Sequence, residues 1–352
     1  MLKIGKFLLN VRYSFRARKP LLLPRLAKAV ISSYVLNRPP LRYVDFAIDF
    51  ACNLHCEHCF AESLKQPGAR RMTVDDYARV ANECMALGTL NFSFQGGEPL
   101  LFGDLGTIIS ACRPARNVIS VTTNGTLLNK DRIVALKRQG VDILTISLDS
   151  SIAEEHDRFR GTPGTFKKTM AGIELARKQG LQVTLGTVVT HQTLRTEGIT
   201  GLVQLAKKLK VLLYFIMPVP AGRWENNREM LLTPDDLEYI DEMTRSSQYL
   251  RTDFQANLGP YGCGAVKEIL YLTPYGDVLA CPFMHISLGN VFEESIDVIR
   301  NRALQNPYFA TYHQKCLVST DSEFMEKYLS KTFGQKQLPL SWKYVFPPEA
   351  GK

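Results

Sequence analysis

From Tyr43 onward the chain alternates between two patterns of apolar and polar positions. Short runs rich in β-branched and aromatic residues read as strands: "VDFAIDF" (44–50), "LNFSFQG" (90–96), "NVISVTT" (117–123), "DILTISL" (142–148), "QVTLGTVV" (182–189) and "VLLYFIM" (211–217). A longer stretch of helical period follows each, which predicts six βα units and a parallel sheet. The stretch "TVDDYARVANECMALG" (73–88) has an N-cap Thr73, early acids and a closing Gly88. "NKDRIVALKRQG" (129–140) and "TFKKTMAGIELARKQG" (165–180) end on basic residues and Gly in the same way. After the sixth strand come a loop (218–230), a helix opened by Thr233-Pro234, and a Cys/Gly/Pro-rich region. There "EILYLTPYGDVLACPF" (268–283) reads as a hairpin about Pro274-Tyr275-Gly276-Asp277.

Length and charge refine this picture. With 352 residues and 45% hydrophobic content, the chain suffices for one large α/β domain and a smaller one. Eight irregularly spaced cysteines do not form the frame of a small disulfide-rich domain, so a reducing, cytoplasmic setting is expected. The net charge of +9 is confined to the start: residues 1–42 hold ten Lys or Arg and no acid, leaving 33 basic and 34 acidic side chains elsewhere. Within this arm "LLLPRLAKAVISSYVL" (21–36) is broken by Pro24, Arg25 and Lys28 and falls short of the ~20 apolar residues of a spanning helix. Two readings stay open: a helix packed on the main domain, or a cationic segment lying on a membrane surface. The acid-free start also matches an organelle transit peptide. Aromatics in the arm are scattered and the rest of the chain is near neutral, so no nucleic-acid partner is expected.

The candidate chemistry begins at "IDFACNLHCEHCFAES" (48–63), where Cys52, Cys56 and Cys59 follow the first strand beside His55 and His58. A zinc site draws four ligands from paired knuckles, and no second knuckle is near. Three thiolates equally suit an iron–sulfur cluster with one iron left open. The spacing alone decides neither.

The neighbouring motifs bear on the choice. The C-x3-C-x2-C of Cys52, Cys56 and Cys59 is followed by "GGEP" (96–99), "TNGTLL" (123–128) and "SLDS" (147–150), each after its own strand. This ordered set resembles the radical S-adenosylmethionine (SAM) superfamily over residues 43 to about 220. The resemblance implies a partial (β/α)6 TIM-like barrel, with Cys52, Cys56 and Cys59 holding a [4Fe-4S] cluster that chelates SAM. It also implies that Gly96, Gly97 and Glu98 face the SAM amino group, and that Thr123, Asn124, Ser147 and Asp149 line the SAM site. By the same resemblance Arg160 reaches the SAM carboxylate, while His55 and His58 shape the cluster loop. Active sites of parallel α/β folds gather at the carboxyl ends of the strands, where all these motifs fall. Cys84 and Cys112 sit in helical segments and read as buried apolar residues.

Beyond the barrel, Cys263, Cys281 and Cys316 with the hairpin and "ISLGNVFEESIDVIRN" resemble the SPASM and twitch extensions that hold auxiliary clusters. Only three cysteines are present here, which implies a single auxiliary [4Fe-4S] cluster whose fourth position is open or filled by His285, His313 or Asp321. The expected organisation is therefore a basic helical arm (1–42), a radical SAM barrel (43–230), and a linker helix with a twitch-like cluster domain (231–352). The implied reaction is reductive cleavage of SAM to a 5′-deoxyadenosyl radical and attack on an unactivated C–H bond, with a flavodoxin- or ferredoxin-like electron donor. No catalytic acid or base stands out in the sequence. The basic arm points to a lipid-, isoprenoid- or phosphate-bearing substrate. The alternatives are maturation of a ribosomally made peptide, and a zinc- or iron–sulfur-binding module without catalysis.

Overall fold

A computed structural model describes residues 18–255 and 262–346 of the chain, so the first 17 residues of the basic arm lie outside the described residues. Six strands form where the apolar runs predict them: β1 (Tyr43–Asp49), β2 (Asn91–Gly96), β3 (Val118–Thr123), β4 (Ile143–Ser147), β5 (Gln182–Val188) and β6 (Leu212–Ile216). Each pairs in parallel with the next. A seventh parallel strand, β7 (Leu250–Thr252), follows β6 and is too short to register as a pattern.

At the other edge the predicted hairpin forms from β8 (Ile269–Leu272) and β9 (Asp277–Leu279). Its first strand lies parallel to β1, and β10 (Ile286–Asn290) and β11 (Leu340–Ser341) continue outward. One sheet of eleven strands results, in the order β11-β10-β9-β8-β1-β2-β3-β4-β5-β6-β7. The C-terminal region thus extends the barrel sheet directly.

The helices are α1 (Leu22–Tyr34), α2 (Val74–Ala86), α3 (Leu105–Ala111), α4 (Lys130–Arg138), α5 (Ala153–Arg160), α6 (Thr165–Lys178), α7 (Glu197–Leu209), α8 (Pro234–Ser246) and α9 (Ile296–Ala303), with shorter helical turns beyond. Helix α2 starts as its sequence predicts: Thr73 and Asp76 exchange side-chain and backbone hydrogen bonds in a capping box. On the outer face of the sheet Phe46 stacks between Phe92 and Phe94, at 5.8 and 6.0 Å, and takes the edge of Tyr77 from α2. Burying each such ring contributes about 1.5–3 kcal/mol, so this face is where the core sits.

The inner face carries the alternate residues of each strand and is polar. Asp45 lies level with Ser93 on one side and Tyr271 on the other, and Ser93 lies level with Ser120. Thr122, Thr145 and Thr184 follow in one row, and Tyr214 and Arg251 in another. Thr145 and Thr184 are hydrogen-bonded at 2.9 Å. Thr187 belongs to the opposite, buried face of β5.

The amino ends of β2, β3 and β4 are crossed by α1. Its Leu22, Leu26 and Ala29 pack on Leu90, Val118 and Ile143. Two cations fasten it there. Lys19 pairs with Asp142 and donates to the Asn117 carbonyl at 2.9 Å, while Arg25 donates to the carbonyls of Arg116 and Thr89. Packing on the main domain, one of the two readings of the arm, is therefore realised over residues 22–34.

Candidate active site

The cysteine loop leaves the carboxyl end of β1. Cys56 is buried and Cys52 and Cys59 are half-buried. Burial pushes the Cys52 thiol up to about 11, and the neighbouring Cys56, Glu98 and Cys59 add to it; among the described residues no three His, Cys, Asp or Glu side chains are gathered closely enough to hold a single metal ion. The amide of Leu54 donates toward Cys52, and those of Ala61 and Glu62 toward Cys59, because a short 3-10 turn begins at Phe60. Amides aimed at sulfur suit thiolates bound to a metal cluster.

The GGEP turn explains its own glycines. The amides of Gly97 and Glu98 donate to the carbonyls of Asp49 and Ala51 at 2.8 and 2.9 Å. A Cβ on either glycine would lie 2.1 Å from one of those oxygens, and Gly96 has φ +129°. The glycines therefore let the second strand's end lie flat against the start of the cysteine loop.

Glu98 is buried and held by three donors of the protein. One oxygen accepts from the Leu100 amide at 3.0 Å and the Thr123 hydroxyl at 2.7 Å, and the other from the Asn124 amide at 2.8 Å. Burial raises its carboxyl, and these donors offset part of the rise. The sequence reading aims Glu98 at SAM; within the chain its carboxylate also holds the TNGT segment. Asn124 in turn donates to Asn53, which donates to Thr126, both at 2.9 Å. Asn53 was not singled out in the sequence because a lone Asn between cysteines carries no pattern.

Arg160 also finds partners within the chain. Its Nε donates to Asp149 at 2.6 Å and its Nη1 lies 3.6 Å from the Cys56 sulfur. Burial works against both charges, yet Arg160 holds Asp149 below the usual carboxylate range, and Asp149 and Cys56 raise Arg160 in return. This ion pair fixes the Arg160 guanidinium beside the cysteine loop, where the resemblance expects it to meet SAM. The second Asp149 oxygen, Oδ1, is buried without a hydrogen-bond partner. An acceptor left open in this way fits a hydroxyl or ammonium donor. Ser147 sits at the end of β4, level with Gly186 on β5.

Two aromatic residues missed in the sequence clamp the loop. The ring of His58 stacks on Phe159 at 4.5 Å and tilts against Trp224 at 5.8 Å. Burial, helped by Arg160, pushes His58 down to about 3, so it is neutral. The amides of His55 and Glu57 donate to the carbonyls of Arg160 and Phe159, which fixes the end of α5 to the loop. The His58 ring thus packs the loop, while the exposed His55 makes its contact to α5 through its backbone.

Of the C-terminal cysteines, Cys263 bridges to His313, its amide donating to the His313 carbonyl at 2.7 Å, and Cys316 lies just beyond. Cys281 follows β9. Between the two cysteine regions stands Tyr271, fully buried, its phenol raised by burial and by Asp45, Cys59 and Cys281. Of the three residues proposed for a fourth position, Asp321 caps a short helix through the Phe324 amide at 3.0 Å. The ring of His313 stacks on Tyr308. His285 is buried, with Nδ1 3.3 Å from the Ser63 hydroxyl and Nε2 unpartnered. Cys84 and Cys112 are buried in the core, as anticipated.

Comparison with known proteins bears on this cysteine-centred site. The family model of the Radical SAM superfamily matches residues 50–202, and that of an iron-sulfur cluster-binding domain, SPASM, matches residues 263–319. The chain belongs to the radical SAM superfamily. It is similar to the AdoMet-dependent heme synthase of Methanosarcina barkeri, with 29% identity over 72% of this chain and 80% of that protein. It is also similar to the subtilosin biosynthesis protein AlbA of Bacillus subtilis, with 27% identity over 80% of this chain and 64% of that one. Among solved structures, Streptococcus suis SuiB bound to the precursor peptide SuiA superposes with TM-score 0.61 at 18% identity, covering 82% of this chain and 71% of that one. That likeness shows the fold. As a radical SAM enzyme with a SPASM region, the protein uses a [4Fe-4S] cluster and SAM, carries auxiliary iron–sulfur chemistry, and requires an external electron donor. Among the described residues no helix is long and apolar enough to cross a membrane.

Proposed function

We propose that Cys52, Cys56 and Cys59 hold the SAM-cleaving cluster, and that the enzyme removes a hydrogen atom from an unactivated C–H bond of a phosphate- or carboxylate-bearing small molecule held in the barrel. When bound, the cluster supplies the electron that splits SAM into methionine and a 5′-deoxyadenosyl radical, which takes the substrate hydrogen. Arg160 and Asp149 fix the loop from below, and the open Asp149 Oδ1 receives a donor from SAM. Glu98 holds Thr123 and Asn124 in place beside them. Phe159 and Trp224 shield the loop from water on its outer side. Cys263, Cys281 and Cys316 hold one auxiliary cluster, and a flavodoxin- or ferredoxin-like protein is the donor.

The observation that carries this reading is the cysteine loop at the end of β1, where Cys56 and Cys59 both act on the Cys52 thiol, above an inner face lined by Asp45, Ser93, Thr145, Tyr214 and Arg251. An acyl or isoprenoid chain would bury against polar groups there at an unfavourable cost. A polar, anionic molecule finds Arg251 and several hydroxyls instead. Relatives named AdoMet-dependent heme synthase and Fe-coproporphyrin III synthase accord with such a substrate. A peptide substrate is the second reading, favoured by the PqqA peptide cyclase of Gluconobacter oxydans at 28% identity over 76% of that protein.

The test is anaerobic reconstitution of the wild type and a Cys52/Cys56/Cys59→Ala variant, with iron and sulfide counting and a SAM–dithionite assay. About eight irons falling to about four, with 5′-deoxyadenosine made by the wild type alone, is the expected outcome. About four irons in the wild type would remove the auxiliary cluster, and zinc without sulfide would remove the chemistry altogether. Turnover of Fe-coproporphyrin III against candidate peptides then separates the two substrate readings.

A further inference from the structure

Eleven large hydrophobic side chains are exposed among the described residues, and seven of them fall between Leu21 and Leu36. They are Leu21, Leu23, Val30, Ile31, Tyr34, Val35 and Leu36. On helix α1, Leu23, Val30, Ile31 and Tyr34 recur at spacings that place them along one side. The docked side is a different one, made by Leu22, Leu26 and Ala29. Helix α1 thus has two apolar stripes, of which one is spent on the barrel floor. Lys19 and Arg25 anchor the helix through Asp142, Asn117 and Thr89, so the second stripe is presented outward on a fixed support. An exposed apolar patch concentrated in this way marks an interaction surface.

We propose that this outward stripe of α1 seats the enzyme on an anionic lipid bilayer. Charge selects that occupant. Residues 1–42 contain ten basic and no acidic residues; Lys19, Arg25 and Arg42 are engaged within the protein, while Arg18, Lys28 and Arg38, before, on and after the helix, are exposed. Basic side chains beside an apolar stripe bind the interface between anionic headgroups and acyl chains. A second copy of the chain would bring two such arms together and set like charges against each other. The proposal is independent of the substrate reading above, because the helix sits at the amino ends of the strands and touches none of the cysteine-loop residues.

The experiment is vesicle flotation of the full-length, reconstituted enzyme on phosphatidylcholine alone and on phosphatidylcholine with phosphatidylglycerol. The L23E/I31E variant alters the stripe without touching the docked face, and V298E, an exposed apolar residue elsewhere, is the control. Wild type and V298E are expected to float with the phosphatidylglycerol vesicles, less in high salt and little on phosphatidylcholine. L23E/I31E is expected to bind at least about ten-fold more weakly with an unchanged melting temperature, and K28E/R38E more weakly as well. Equal flotation of wild type and L23E/I31E would overturn the proposal, as would no flotation of the wild type at low salt. A wild-type dimer that becomes monomeric in L23E/I31E, with no vesicle binding, would reassign the stripe to self-association.

Discussion

At the residue scale, Asp45 is the side chain whose placement has the plainest thermodynamic consequence. It is buried on the inner face, its Oδ1 has no hydrogen-bond partner, and burial pushes its carboxyl up to about 7, with Ser93, Tyr43 and Gln95 offsetting part of the rise. Between about pH 4 and 7 the unfolded chain therefore releases this proton while the folded chain keeps it. The unfolded state binds fewer protons in that window, so stability falls as pH rises through it and stays lowered above it. Asp45→Asn is expected to flatten this fall, with a gain over wild type of a few kcal/mol at pH 8 and almost none near pH 4. Denaturant midpoints across that range check it; an equal difference at both ends would contradict the assignment. None of this was legible in "VDFAIDF", where Asp45 reads as one polar position in an alternation. The three cysteines were legible because their spacing is local. Phe159 and Trp224, which clamp His58, were not, since more than a hundred residues separate Trp224 from the loop and only folding joins them.

At the scale of elements, the glycine turn after β2 shows how two strand ends are fitted together. Gly97→Ala would drive a methyl to 2.1 Å from the Ala51 carbonyl oxygen, a backbone atom with no room to give. The expected cost is roughly 1–3 kcal/mol. The loop that carries Cys52 would be displaced, so the variant should also retain less iron after reconstitution; an unchanged denaturation midpoint and iron content would show the contact to be relaxed. The six parallel strands could be read from their apolar runs, and the hairpin of β8 and β9 from its turn residues. What the sequence did not convey was that β8 would lie beside β1, because the choice of neighbour is made by long-range packing and leaves no periodic trace. The same holds for Glu98, whose three donors from Leu100, Thr123 and Asn124 make it an internal brace that its place in "GGEP" does not announce.

For the whole molecule, continuity of the sheet is the dominant fact. The SPASM region shares backbone pairing with β1, the strand that delivers the cysteine loop, so neither part exposes a free edge between them. Thermal unfolding of the protein is expected as one transition by calorimetry and circular dichroism; two separate transitions would show that the regions fold independently. Helix α1 adds a constraint of a different kind. Lying across the amino ends of β2, β3 and β4, it makes the barrel a cul-de-sac on that side. A molecule on the inner face beside those three strands meets α1 as a floor, so what it presents downward there is an end or a bend and not a length drawn through like thread.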